Sequence, residues 1–418
     1  IIQADSNKEP NVHSQLRSVG ESHKDGAHIE LCNLNKRVMK YTYRLFAWAA
    51  ALVLLLDGGV TAARAANAAP ITASSVYPPI SEFEPTASDV PAAGSPFPSI
   101  IPIATSVVGA HSVRTADLDN DGDMDVIVAA RGSGQVLWYE NLSTNPSTFA
   151  PHVLATADGS YMAIPADINH DGWIDVVAVA VGVVNPASAA DLYADPAEAQ
   201  GTGKVFWLQN RLPQGQGFTQ RPVADGLNYP VAVHAVDLNS DDRLDIVVPT
   251  RDDGRVLWFQ NNGDGSAFAA RVAAQNLPGS VGVNSGDIDG DGRVDIVAAA
   301  EDTNQIVWLR NNGAQPPEFE QRTISSGPQP PPGQDFAKAV FAADIDHDGD
   351  LDVVFASEQQ NKIGWFENKG RGSSFTEHVL ATDMLHAKSV WAEDIDWDGD
   401  LDILATAAES GIVALYEN

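Results

Sequence analysis

From about residue 97 onward the chain is a succession of short apolar runs separated by polar turns, the pattern of many short strands and few helices. A repeating order of elements emerges. A first apolar strand, as in residues 112–116 and 232–236, leads into a strongly polar loop. The loop runs straight into a Val/Ile/Ala stretch with no polar alternation, as in residues 126–128 and 296–298, which predicts a strand buried on both faces. After a small polar turn, a third strand closes on Trp-x-x-Asn, at Trp138 and Asn141, Trp207 and Asn210, Trp258 and Asn261, Trp308 and Asn311, and Trp365 and Asn368; Leu415 and Asn418 hold the sixth positions. A fourth strand opens on Phe149, Phe218, Phe268, Phe319 or Phe375. Four antiparallel strands per roughly 50 residues is the unit of a β-propeller blade.

These units predict an all-β chain: a β-propeller of six four-stranded blades, with seven as the alternative. Asn418 stands at the end of a third strand, whereas residues 97–105 match the fourth-strand pattern ahead of the first repeat. Pairing that segment with the last blade closes the ring and hides its edges. Pro98 and Pro102 suit an outer strand, which can spare a donor on its free side. One Trp per blade at the same strand position predicts inter-blade core; the competing reading is a sugar-binding groove.

The polar loop carries the chemistry. It reads Asp-x-Asp/Asn-x-Asp-x-x-x-Asp and starts at Asp117, Asp167, Asp237, Asp287, Asp344 and Asp394. Oxygens at alternate positions of a tight loop converge on a hard cation such as calcium. In the first copy they come from Asp117, Asp119, Asp121 and Asp125, with the carbonyl of Asp123. Position six is Gly122, Gly172, Gly292, Gly349 and Gly399, where a sharp turn needs positive φ; Asp242 stands there in the third copy and predicts a strained, weaker site. An EF-hand needs Glu at position twelve between helices, and Val128, Ala178, Val248, Ala298, Phe355 and Ala405 exclude it. The plainer alternative, Asp-Gly hairpin turns with solvated acids, does not explain one spacing repeated six times.

Charge agrees with a cation. The chain has 56 Asp plus Glu against 25 Lys plus Arg, a net charge of −31, and the acids concentrate in the loops. Divalent ions relieve the repulsion there, whereas nucleic acid, which needs basic grooves, is excluded as a partner. His111, His234 and His386 sit at different offsets from the loops, so no repeated zinc site is visible.

The N-terminal part reads differently. Met39 to Arg44 is a basic stretch, residues 45–56 are apolar, and small-residue stretches around Ala65 and Ala68 fit a signal-peptidase site. Residues 39–69 are therefore expected to be a signal peptide, residues 1–38 not part of the true protein, residues 70–96 a Pro/Ala/Ser-rich linker, and residues 97–418 the propeller. The apolar core is too short to span a membrane; an uncleaved anchor is the alternative. Export to the periplasm, cell surface or medium follows, with no membrane span in the mature form. Cys32, the one cysteine, falls outside the mature chain on this reading.

The Asp-rich loop, the Trp-x-x-Asn strand and the Phe-led strand together make residues 97–418 resemble the FG-GAP/VCBS repeat family, whose relatives include the integrin α-subunit head and propeller lectins. The resemblance implies that positions one, three, five and nine, with the carbonyl of position seven, hold calcium in a hairpin between a blade's first two strands. In this chain the first loop offers Asp117, Asp119, Asp121, Asp123 and Asp125, and the second Asp167, Asn169, Asp171, Trp173 and Asp175. The third offers Asp237, Asn239, Asp241, Arg243 and Asp245, and the fourth Asp287, Asp289, Asp291, Arg293 and Asp295. The fifth brings Asp344, Asp346, Asp348, Asp350 and Asp352, and the sixth Asp394, Asp396, Asp398, Asp400 and Asp402, for up to six calcium ions. Integrin-like repeats number seven, against six here.

Fold does not give function, and ligands of such propellers are set by loops. The expected activity is a monomeric binding or adhesion module for carbohydrate or a cell-surface protein. It uses the face away from the aspartate loops, with Tyr161, Tyr193, Asp252, Asp253, Glu301, Asp302 and Glu358 as candidates and the long connection 181–203 beside them. The alternatives are a polysaccharide lyase or dehydratase and a structural platform in an envelope assembly. No Lys, Arg, His or Tyr cluster stands out from the repeat pattern, although residues distant in sequence could meet at the central channel, so no catalytic residue is assigned.

Overall fold

The computed structural model describes residues 102–144, 147–182, 203–326, 337–409 and 411–418, all within the compact unit Phe46–Asn418. The expected signal, linker and discarded segments, Cys32, Tyr193 and most of the connection 181–203 lie outside them. Among the described residues no helix is long and apolar enough to cross a membrane.

Six antiparallel sheets form the blades of a β-propeller. Blade one contains β1 (Ala110–Ala116), β2 (Asp125–Ala130), β3 (Gln135–Thr144) and β4 (Ser147–Thr156). Blade two contains β5 (Ser160–Ala166), β6 (Asp175–Ala180), β7 (Gly203–Asn210) and β8 (Phe218–Leu227). Blade three contains β9 (His234–Val236), β10 (Asp245–Thr250), β11 (Arg255–Asn261) and β12 (Phe268–Ala274). Blade four contains β13 (Ser280–Gly286), β14 (Asp295–Ala300), β15 (Gln305–Asn311) and β16 (Phe319–Ser326). Blade five contains β17 (Ala337–Ala343), β18 (Asp352–Ser357), β19 (Lys362–Lys369) and β20 (Ser374–Ala381), and blade six β21 (Ala387–Glu393), β22 (Asp402–Ala407) and β23 (Ile412–Tyr416).

The second strands β2, β6, β10, β14 and β18 are buried along their whole length, as their unbroken apolar sequence predicts. First strands line the axis, with β1 beside β5, β9 beside β13, β13 beside β17 and β17 beside β21. Near the start of β1, β5, β13, β17 and β21 the pairing with the second strand skips one residue, a β-bulge at the same point in five blades.

The four seams from blade one to blade five each hold an apolar cluster, and Trp138, Trp207, Trp258 and Trp308 sit inside those clusters. Trp138, Trp258 and Trp308 meet Phe218, Phe319 and Phe375 of the following blade edge-on at 5.9, 6.4 and 6.5 Å. Such pairs add roughly 0.5–1.5 kcal/mol beyond the area they bury. Trp138, Trp207, Trp258 and Trp308 are therefore buried core, and Trp365 is partly buried against its cluster.

The sixth sheet has three strands among the described residues, and its third strand exposes Ile412, Val413 and Leu415. Of the segment expected to complete it, residues 97–101 lie outside the described residues and residues 102–105 are not a strand. Ile103 and Ala104 pack against the apolar cluster of blade one that holds Val113, Val126 and Val128.

Candidate functional site

The six aspartate loops share one hydrogen-bond frame. Position seven donates its N–H to Oδ1 of position five in every copy: Asp123 to Asp121 at 2.9 Å, Trp173 to Asp171 at 2.9 Å and Arg243 to Asp241 at 3.1 Å. The later copies match, with Arg293 to Asp291 at 3.1 Å, Asp350 to Asp348 at 2.9 Å and Asp400 to Asp398 at 3.0 Å. In five loops the position-six N–H donates to Oδ2 of position one, as Gly122 does to Asp117 at 3.0 Å and Asp242 to Asp237 at 2.8 Å. The sixth loop differs: Trp397 at position four donates to Asp394 Oδ1 at 2.7 Å.

Two residues per loop are left-handed. Position six is one, with φ of 94° at Gly122 and 63° at Asp242. A Cβ added at Gly122, Gly172, Gly292, Gly349 or Gly399 would meet nothing within 4 Å, so glycine serves the backbone angle there and aspartate fits with strain alone. Position four is the other, and sequence reasoning missed it. Asn120, His170, Ser240, His347 and Trp397 occupy it at φ between 58° and 70°, and residue type gave no common signal.

The ninth aspartate has a structural duty beyond the expected one. Asp175 Oδ2 accepts from Ile168 N at 3.0 Å and its Oδ1 from Asn210 N at 2.7 Å, which ties the loop to the end of the third strand. The Asn210 amide donates to Ile174 O at 3.0 Å and, across the seam, to Leu118 O of the preceding loop at 2.7 Å. Asn261, Asn311, Asn368 and Asn418 repeat the seam bond to Ile168, Leu238, Ile288 and Ile345 at 2.8, 3.1, 2.8 and 2.8 Å. This bond explains the asparagine of Trp-x-x-Asn. Burial pushes Asp125, Asp295 and Asp352 up to about 6, and Asp175 and Asp245 up to about 7, against the opposing pull of these N–H donors.

The carboxylates fit a hard cation. Asp117, Asp119 and Asp125, then Asp287, Asp289 and Asp291, then Asp344, Asp346 and Asp348, then Asp394, Asp396 and Asp402 each bring three carboxylate oxygens within 4.8 Å of one another. Two oxygens on one calcium, each at ~2.4 Å, lie at most ~5 Å apart. Asp289 Oδ1, Asp344 Oδ1, Asn239 Oδ1 and Asp245 Oδ2 are buried and accept no hydrogen bond. An orphaned buried acceptor costs ~1–3 kcal/mol, and a bound cation removes that cost.

The loops are not equivalent. The second and third have Asn169 and Asn239 at position three, whose amides donate to Asp171 and Asp241 at 2.8 and 3.1 Å, and neither forms a three-carboxylate group. In the fourth, Arg310 bonds Asp289 and lies 3.0 Å from Asp291, and Arg293 also bonds Asp291. Those guanidiniums hold the oxygens a cation would use.

At the opposite end of the blades Glu301 and Glu358 are buried, whereas Asp252 and Asp302 are exposed acids. Glu301 is fully buried between Arg251 and Lys338, the latter at 2.7 Å. Glu358, 6 % exposed, lies 3.5 Å from Lys338, bonds Lys388 and accepts from His386 at 3.1 Å. Asp253 is taken up by Arg255, Thr250 and Asn228. Asp252 and Asp302 lie 3.7 and 3.9 Å from Arg251. Tyr161 meets His111, ring to ring at 3.8 Å, with the Arg131 guanidinium 5.5 Å from its own ring centre. Lys, Arg, His and Tyr side chains therefore do cluster, where residues far apart in the chain converge at the axis.

No curated protein matches the sequence. Solved structures with a similar fold include an Agrocybe aegerita lectin that recognises non-reducing terminal N-acetylglucosamine, at 18% identity and TM-score 0.45, covering 72% of each chain. A catalytically inactive virginiamycin B lyase from Staphylococcus aureus with quinupristin is 12% identical at TM-score 0.45, covering 74% of this chain and 80% of that one. A Photorhabdus luminescens Tc holotoxin pore is 17% identical at TM-score 0.36, covering 72% of this chain and 13% of that one. Likenesses this distant bear on neither ligand nor chemistry. The FG-GAP-like repeat matches residues 117–178, 237–298, 287–355 and 344–405, more than half of the chain and each span running from one aspartate loop into the next region of strand, so the chain belongs to the FG-GAP-like repeat family.

Proposed function

We propose that this propeller is an exported calcium-binding module for carbohydrate or a cell-surface protein, in which calcium braces the aspartate hairpins. The observation that carries the reading is the loop chemistry: four loops gather three carboxylates each, and buried oxygens in loops three, four and five lack any donor. The residues that would hold calcium are positions one, three, five and nine with the carbonyl of position seven, as the family resemblance implies. The ion supplies charge neutralisation and cross-linking. A chain with one cysteine forms no internal disulfide, so in an exporting compartment metal bridges would take over that role. Repeated residues build blades and loops, which leaves the far end to vary and select a ligand.

Elemental analysis of the purified, desalted protein tests the metal, and a glycan array with an envelope pulldown, run with calcium and with chelator, tests the binding. Bound calcium and a calcium-dependent ligand are expected. A metal-free protein whose melting temperature ignores chelator would overturn the first half; no ligand in either screen would overturn the second.

A further inference from the structure

The first-strand bulge places one residue per blade outside the ladder, at the end of the axis away from the aspartate loops. Six residues of strand separate the two, roughly 20 Å. That residue is His111, Tyr161, Val281, Lys338 and Lys388 in blades one, two, four, five and six. Positions that serve the scaffold repeat in every blade, as the ninth aspartate and the seam asparagine do. The bulged position does not repeat, so blade packing does not dictate its chemistry, and bulges characteristically re-aim side chains beside functional sites.

The residues immediately after the second strands meet these bulges at the same end, and the result is a two-sided rim. On one side Tyr161 lies half-buried over a buried cluster of Tyr229, Val231 and Val281. His111 beside it donates its Nδ1–H to Tyr161 O, 3.1 Å away. Burial, then the charge of Arg131, lowers His111 to about 3, so it is neutral; with Nδ1–H given to the carbonyl, Nε2 is an acceptor. On the other side runs a relay of alternating charge, Arg251, Glu301, Lys338, Glu358 and Lys388. Buried ion pairs contribute little net stability, so a relay kept inside a propeller axis calls for another role. Its outermost cation is Lys388, 39% exposed, with Glu358 taking one of its three donors.

We propose that this rim binds an acidic saccharide, with Lys388 meeting the carboxylate, the Tyr161 face meeting the sugar's C–H surface, and His111 Nε2 accepting from a hydroxyl. Glu358 and Lys338 act as positioning residues that hold Lys388 in place. An uronate-type sugar presents an apolar face, hydroxyls and one carboxylate on a single ring, which matches the two-sided rim. The inference rests on the carbohydrate-binding reading above and narrows it to acidic sugars at a named place.

The test is calorimetry on the calcium-loaded full chain with oligosaccharides ending in glucuronate, galacturonate or sialic acid, each beside its carboxyl-reduced counterpart. At least one acidic sugar is expected to bind, its reduced form at least tenfold more weakly. Lys388→Met should weaken the acidic sugar about tenfold with bound calcium unchanged and the chain still folded at the assay temperature, Lys388→Arg should restore most of the affinity, and Tyr161→Ala should weaken both forms. Binding of none of the acidic sugars overturns the proposal. So does acidic-sugar binding that is indifferent to Lys388→Met. Neutral glycans that bind equally well to wild type and Lys388→Met would refute this site and leave the broader binding function standing.

Discussion

The side-chain amide of Asn210 donates to the carbonyl of Leu118, 2.7 Å away and one blade earlier, while Leu118 N–H donates to Asp125 at 3.0 Å. One residue thus faces its own loop through its N–H and the next blade through its carbonyl. Asn210→Ala strands two buried carbonyls, those of Leu118 and Ile174, and should lower the unfolding free energy by about 2–4 kcal/mol. Denaturant unfolding reads this directly. A loss under about 0.5 kcal/mol would mean that apolar packing alone holds the seam.

Calcium removal should lower the melting temperature reversibly, because like charges in each loop then go unneutralised and the buried oxygens of Asp289 and Asp344 stay unsatisfied. Differential scanning fluorimetry with chelator, followed by calcium back-addition, measures it. Magnesium should restore less, since it demands a tighter octahedron than these spread oxygens offer.

In loop four, Arg310 bonds the oxygens of Asp289 and Asp291. Arg310→Ala should free Asp289, with Arg293 still on Asp291, and tighten the weakest calcium-binding step by roughly tenfold, about 1.4 kcal/mol. Calorimetric titration of calcium into the chelated variant checks it, and an unchanged weakest step would show that loop four is not the limiting site.

At position six the backbone angle, and no steric contact, selects glycine. Gly292→Ala should cost about 1–2 kcal/mol, and Asp242→Gly should gain a smaller amount in the third loop. Paired unfolding curves settle the signs.

Burial pushes the Glu358 carboxyl up, but Lys338 and Lys388 outweigh it and hold the group at about 2, against an ordinary 4.5. A depressed acid contributes its full stability above the unfolded value and loses it as pH falls from about 4.5 to about 2. At ~1.36 kcal/mol per unit, the contribution is on the order of 3 kcal/mol. Unfolding free energies between pH 6 and pH 2 should therefore fall less steeply for Glu358→Gln than for wild type. Parallel curves would remove Glu358 from the acid response.

What could be read from the sequence was whatever recurs. Asp117 and its five counterparts, the glycines at position six and the Trp-x-x-Asn endings announced loops, blades and their order because every blade solves the same packing problem. The partner of each asparagine was invisible, since the bond crosses to a loop 73 to 93 residues away, as from Asn261 to Ile168. Left-handed Trp397 and Ser240 were invisible for the opposite reason, because unlike residues share one backbone state there. The meeting of His111, Tyr161, Lys338 and Lys388 depends on closure around an axis and on a bulge, neither of which leaves a local trace.

Because residue two of each loop serves both its own aspartate and its neighbour's asparagine, an excised blade would lose donors and acceptors at both flanks at once. Isolated repeats of this protein should not hold a fold, and its loss of structure should proceed as one concerted event instead of peeling away unit by unit.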